Sequence, residues 1–181
     1  MRNPGKWLVL LVVVLLMTSL AACAAGTVAV PDRPIEVSVD SALAAQDKAM
    51  AGLMMGSAEW TEEEFSSLLS VLLQQNSGEN NPVNAIRVWF DPDNQVTIQV
   101  DLKDGVIPFG NQLNLAGKVD VVDNHVQVHL EQAAAGNLAV APAVLQMISD
   151  QINASLADPS MGVAVDVTTD TGLIQVSLAG M

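Results

Sequence analysis

The sequence predicts an α+β domain in which an antiparallel meander sheet of about six strands carries two or three amphipathic helices on its apolar face. Three observations lead there. Apolar residues recur at helical spacing in two separate segments, Phe65, Leu68, Leu69, Leu72 and then Leu145, Ile148, Ile152, Leu156. Between them the period switches to two over residues 86–130. After the second helical segment, GVAVDV and LIQVSL flank Asp170, Thr171 and Gly172, which reads as a closing hairpin.

The elements follow in chain order. Arg2 and Lys6 precede eleven unbroken apolar residues, Trp7 to Met17, and then a small-residue stretch ending at Ala22. A cationic start, an apolar core of about 7–15 residues and a small-residue cleavage zone describe a secretory signal peptide over residues 1–22. The core is shorter than the roughly 20 residues a bilayer demands. LAAC, Leu20 to Cys23, resembles the bacterial lipobox, in which the cysteine thiol receives a diacylglycerol before cleavage. The resemblance implies that Cys23, the only cysteine, becomes the first mature residue and anchors the chain to a membrane. The competing reading is an uncleaved transmembrane anchor, because no charge occurs from Trp7 to Val30. Both leave Arg2 and Lys6 cytoplasmic and the remainder on the outer, extracytoplasmic side.

Residues 23–40 are small and extended, with Pro31 and Pro34 opposing helix, and are expected to be a lipid-anchored tether that ends in a short strand at IEVSV. Residues 41–181 then form one domain. Its first helix is expected over Ser41 to Met55, rich in Ala and Met, with Gly56 as the stop. The next is marked by WTEEEF: Thr61 and Glu64 match a capping box, and Trp60 and Phe65 match a hydrophobic staple. Glu62, Glu63 and Glu64 are read as first-turn acids that complement the helix dipole, in preference to a metal or acid–base cluster.

In the meander Ile86, Val88 and Phe90 alternate, then Val96 to Leu102, Leu113 to Val121, and Val126 to Leu130. The opposite face carries Arg87, Thr97, Gln99, Asp101, Asn114, Lys118, Asp120, His125, Gln127 and His129 and is expected to be wet. A third helix is expected from Pro142 to Leu156, with Pro142 in its first turn.

Charge narrows the partners. Beyond residue 22 the chain holds five basic residues against all twenty acidic ones, a net charge of −15. Such a surface repels nucleic acid and anionic headgroups, so the expected partners are the membrane, through the lipid on Cys23, and no nucleic acid. Without a second cysteine there is no intrachain disulfide.

Chemistry finds little support. His125 and His129 are the only histidines; on a helix they would suit a metal pair, but on the strand that HVQVH predicts they stand about 13 Å apart. DPDNQ departs from a calcium loop and reads as a type I turn with Pro92 second. Asn153 sits in a chance glycosylation match on a helix. No G-x-S-x-G, H-E-x-x-H, P-loop or S-x-x-K pattern occurs. The chain is therefore expected to be no enzyme, with no catalytic residue, cofactor or metal.

The order WTEEEFSSLLSVLL, meander, GNLAVAPAVLQMISDQIN, closing hairpin is similar to membrane-tethered bacterial proteins of the tubular lipid-binding (TULIP-like) type. That resemblance implies a strongly curved sheet wrapped on amphipathic helices, with phospholipid carried in the seam of some members. The expected function is a membrane-anchored extracytoplasmic lipoprotein acting as a non-catalytic binding module for lipid or another apolar ligand, with Met50, Met54 and Met147 as adaptable linings. The alternative is a surface scaffold or protein-interaction domain with a filled core and no ligand.

Overall fold

The computed structural model describes residues 27–76, 82–105, 110–122, 125–136, 138–156 and 165–178. Residues 1–22 and Cys23, where the signal peptide and the anchor are expected, lie outside them.

Helix α1 (Val39–Met55) begins on Ser38, whose hydroxyl accepts from the Ser41 N–H, and ends on Gly56 at φ 82°, a left-handed cap that favours glycine. Strand β1 (Ser57–Thr61) follows at once, and helix α2 (Glu62–Asn76) begins where it stops. Strands β2 (Val83–Asp91), β3 (Gln95–Leu102), β4 (Gln112–Val122), β5 (His125–Ala135) and the short β6 (Leu138–Ala139) form one antiparallel five-stranded meander. Helix α3 (Pro142–Leu156) and the hairpin β7 (Val165–Asp170) and β8 (Leu173–Leu178) complete the chain.

The α+β class is as expected, but the single six-stranded meander is not. The closing hairpin leaves the meander and pairs with β1, giving a separate three-stranded sheet of order β1-β8-β7. This second sheet shares the apolar face of the meander with the helices. Val88, Phe90 and Val96 of the larger sheet pack against Val167 and Ile174 of the smaller, with Ile86, Ile98, Val119, Val121, Val126 and Val176 around them. Two sheets burying their apolar faces against each other make a sandwich core.

The helices sit at the edges of the meander. On the β2 edge, the Phe90 N–H donates to Glu62 Oε1 at 2.8 Å, Val88 N–H to Ser66 Oγ at 2.8 Å, and Ile86 N–H to Ser70 Oγ at 2.9 Å, while Gln74 Nε2 donates to the Asn84 carbonyl at 3.1 Å. Four residues of helix rise about 6.0 Å and two of strand about 6.6 Å, so side chains at i, i+4, i+8 of a helix meet alternate residues of a strand edge. The mismatch of about 0.6 Å per rung accumulates toward the ends, where the longer Glu62 and Gln74 replace serine. The same arrangement closes the other edge. Leu130 N–H donates to Ser149 Oγ at 3.2 Å, and Asn153 both accepts from the Val128 N–H at 2.7 Å and donates to its carbonyl at 3.1 Å. With both edges taken, the closing hairpin has no meander edge to join and uses β1 instead.

These ladders correct the expected buried stripes. Phe65 and Leu69 do flank the core, but the most deeply buried residues of α2 are Ser66, Ser67 and Ser70, and Leu72 is exposed. On α3, Leu145 packs with Leu115 and Ala133 in a smaller cluster; the side chains of Ile148, Ile152 and Leu156 lie outside the described residues. Helix α1 lies on α2 and β1 through small residues. Ala42 and Ala45 are buried, and a Cβ on Gly52 would meet the Ala58 Cβ at 2.5 Å.

The stand-off tether expected over residues 23–40 is corrected from Val28 onward. No strand forms at IEVSV; residues 27–38 are an extended strap bound to the domain. Val28 and Ile35 are buried, the Trp89 indole N–H donates to the Arg33 carbonyl at 2.8 Å, and Arg87 Nε donates to the Ile35 carbonyl at 3.3 Å. Arg87 and Trp89 project from the face expected to be wet, so the strap shields part of it. Trp89 itself is buried.

Candidate functional site

The glutamate run at the start of α2 is structural, and more specifically so than dipole complementarity alone. The Thr61 N–H donates to Glu64 Oε2 at 3.0 Å and the Glu64 N–H to Thr61 Oγ1 at 3.2 Å, the reciprocal capping box predicted from WTEEEF. The Trp60 and Phe65 rings of the staple lie 6.4 Å apart. Glu63 accepts from the Ser41 hydroxyl at 2.9 Å. Glu62 is buried and accepts from Arg33 Nη2 at 2.8 Å as well as from Phe90, while Arg33 Nη1 reaches Asp91 at 3.1 Å. The strap is thus latched to α2 and β2 through one guanidinium, whose own pKa is raised by its bonds to Glu62 and, despite partial burial, to Asp91. Burial would lift the Glu64 carboxyl, but the Lys48 ammonium at 2.7 Å and the Thr61 N–H outweigh it and hold the group below the usual carboxylate range.

The remaining sequence candidates stay apart. His125 and His129 are on β5, opposite Val122 and Lys118, and the His129 side chain is exposed. Among the described residues no group of three or more His, Cys, Asp or Glu is placed to hold a metal ion. The DPDNQ turn is not type I. With Pro92 second, Asp93 is the third residue and has φ 63°, where a type I turn needs a negative φ; Asn94 follows at 58°. Asn94 is held there because its carbonyl accepts from the Val119 N–H at 2.9 Å and its side chain from the Thr169 N–H at 3.0 Å. Beside this turn lies an open polar cleft of about 520 Å³, lined by Glu59, Pro92, Asp93, Thr168, Asp170 and Gln175 among others. The Asn153 amide is occupied by both backbone groups of Val128.

The methionines expected to line an internal seam point the other way. Val39, Leu43, Met50 and Met54 of α1 are 64%, 54%, 64% and 90% exposed, and Met147 of α3 is exposed as well. At 100° per residue the four α1 side chains share an arc of about 60°, and Asp47 and Asp40 follow within about 40° more. Beside this arc, Val39, Ala42 and Leu43 of α1 and Leu68, Val71 and Leu72 of α2 line an apolar groove of about 120 Å³. The outcome is an apolar face on the helical hairpin, open to solvent and bordered along one side by exposed carboxylates. The interior between the sheets is occupied by Val88, Phe90, Val96, Val167 and Ile174. Sequence reasoning missed this face because it placed the methionines inside, as linings of a seam between sheet and helices. The signal was present in the spacing: Ala42, Ala45, Ala49 and Gly52 form a small-residue stripe that already supplies the packed side of α1, leaving the larger residues outside.

Comparison with protein-family models, with curated proteins and with solved structures gives no match to the chain, so the geometry alone carries the functional argument.

Proposed function

We propose that the chain is a membrane-anchored extracytoplasmic lipoprotein, held by a lipid on Cys23, whose domain is a non-catalytic module that binds through its surface. The observation that carries this reading is the contrast between a filled sandwich core and an open apolar face on α1 and α2. Enclosing a lipid calls for a continuous apolar cavity of at least about 300 Å³, whereas the apolar groove on the hairpin offers about 120 Å³. A contiguous exposed apolar patch on a soluble domain marks an interaction site. Lipid carriage between the layers, the reading the sequence put first, is disfavoured by the described side chains that fill the space between the two sheets.

Mass spectrometry tests both halves. The membrane-extracted chain is expected to lack residues 1–22 and to carry diacylglycerol on Cys23; a chain beginning at Met1 with an unmodified thiol overturns the anchor. Native mass spectra of the intact protein are expected to show no lipid retained beyond the covalent anchor. A stoichiometric noncovalent lipid overturns the filled-core reading.

A further inference from the structure

We infer that the apolar face of α1 and α2 is a docking groove for a basic amphipathic α-helix of another protein. This inference rests on the surface-binding reading above and names its partner. The length of the face fits a helix: Val39 to Met54 spans about 22 Å at 1.5 Å per residue, four turns of a partner lying alongside. Its chemistry fits the helix-in-groove mode, in which flexible methionines and branched aliphatics receive apolar side chains at i, i+3, i+4 and i+7 spacing. Its border fixes the sign of the partner's charge. Asp40 and Asp47 flank the apolar arc, and the cation of this helix, Lys48, is already engaged by Glu64 at 2.7 Å. A bound helix with lysine or arginine beside its apolar stripe brings opposite charges together at that rim.

The same border argues against the other occupants. Insertion into a bilayer would press Asp40 and Asp47 against anionic headgroups, with a chain of net charge −15 behind them. Self-association through this face would bring two such chains together.

The test uses the intact chain in nanodiscs of phosphatidylcholine, with empty nanodiscs as the blank. The probes are two fluorescent 17-residue peptides with identical leucine spacing, one with lysine and one with glutamate at the polar positions. The Leu/Lys helix is expected to bind at least about tenfold more tightly than the Leu/Glu helix, and to weaken with salt. L43Q/M50Q is expected to weaken it by about tenfold or more, with an unchanged melting temperature because both side chains are exposed. D40N/D47N is expected to weaken it by roughly threefold to tenfold and to flatten the salt dependence.

Equal binding of the two peptides, or affinity indifferent to L43Q/M50Q, overturns the proposal. So does protection of Met50 and Met54 from oxidative footprinting by the bilayer alone, which assigns the face to the membrane. A dimer in sedimentation that L43Q/M50Q dissociates assigns it to a second copy. In each of these cases a native mass spectrum free of noncovalent lipid leaves surface binding standing, whereas a retained lipid removes the broader reading as well.

Discussion

The two edges of the five-stranded sheet solve one problem with different thoroughness. An edge strand presents unpaired N–H and C=O groups that invite a foreign strand. On the β2 edge, α2 supplies four rungs, from Glu62, Ser66, Ser70 and Gln74. On the β5 edge, α3 supplies two among the described residues, Ser149 and Asn153, and β6 pairs only with Ala134 and Ala135. The helices also start differently. Helix α2 has a capping box and three acidic residues in its first turn, whereas α3 begins at Pro142 and has no acid there. What this teaches is that a helix can stand in for a strand when polar side chains recur every fourth residue. The firmness of the substitute then depends on how many rungs are made and how well the helix end is fixed.

The sharpest way to break the contrast is at Glu62, the one rung that also carries a charge. Glu62→Ala leaves the Phe90 N–H without its acceptor and removes the main partner of Arg33, so a loss of about 3 kcal/mol is expected in urea denaturation. Glu62→Gln, which keeps a carbonyl acceptor, is expected to lose less. If the alanine variant proved as stable as the parent, the latch between strap, α2 and β2 would contribute nothing.

Next in size is a matched pair. Ser66→Ala orphans a buried N–H and is expected to cost about 1–3 kcal/mol, and Ser149→Ala less, because its 3.2 Å bond is longer and its ladder shorter. Hydrogen exchange reads the same contrast without mutation. The Ile86, Val88 and Phe90 amides should exchange more slowly than those of Val128 and Leu130. The reverse order would mean that rung number does not set edge stability.

Legibility in the sequence divided along the same line between local and distant. The capping box and staple at Trp60 to Phe65 were readable because each pairs residues three to five apart in a fixed helical frame. The meander strands were readable by their alternation, and Pro142 by its place in a first turn. The ladders were not readable: the partners of Glu62, Ser66 and Ser70 are backbone groups 16 to 28 residues away, and backbone carries no residue identity. Ser66 and Ser70, one helical turn apart, carry no sign in the sequence of what they bond. Strand β1 is five residues long and merges into the helix entry, so the second sheet was invisible, and with it the destination of the closing hairpin. The strap misled for a related reason, since an extended Pro-containing segment that binds through single contacts has no period. The one hint was Trp89, a large apolar residue between Arg87 and Asp91 on a face otherwise polar. The docking face is the least legible of all, because an exposed methionine and a buried one look alike until the packed side of their helix is known.

The smallest expected effect separates the two helix starts by acidity. The Glu64 carboxyl is held below its ordinary value near 4.5 by Lys48 and Thr61, against the opposing pull of burial. A carboxyl whose folded pKa is depressed stabilises the fold above the unfolded value and loses that contribution as pH falls through the folded one. The loss therefore begins as pH drops below about 4.5 and is complete below the lowered value, and it amounts to less than about 1 kcal/mol because the Lys48 side chain is 46% exposed and solvent screens the pair. Acidification over this window should lower the protection factors, that is exchange corrected for the intrinsic pH dependence of free amides, at Ile86 and Val88, whose acceptors ride on α2. Val128 and Leu130, bonded to a helix with no acid in its first turn, should respond less. Glu64→Gln keeps an acceptor for the Thr61 N–H but cannot titrate, so in that variant the acid-dependent difference between the two edges should shrink. A difference of the same size in parent and variant would assign the acid response to a group other than Glu64.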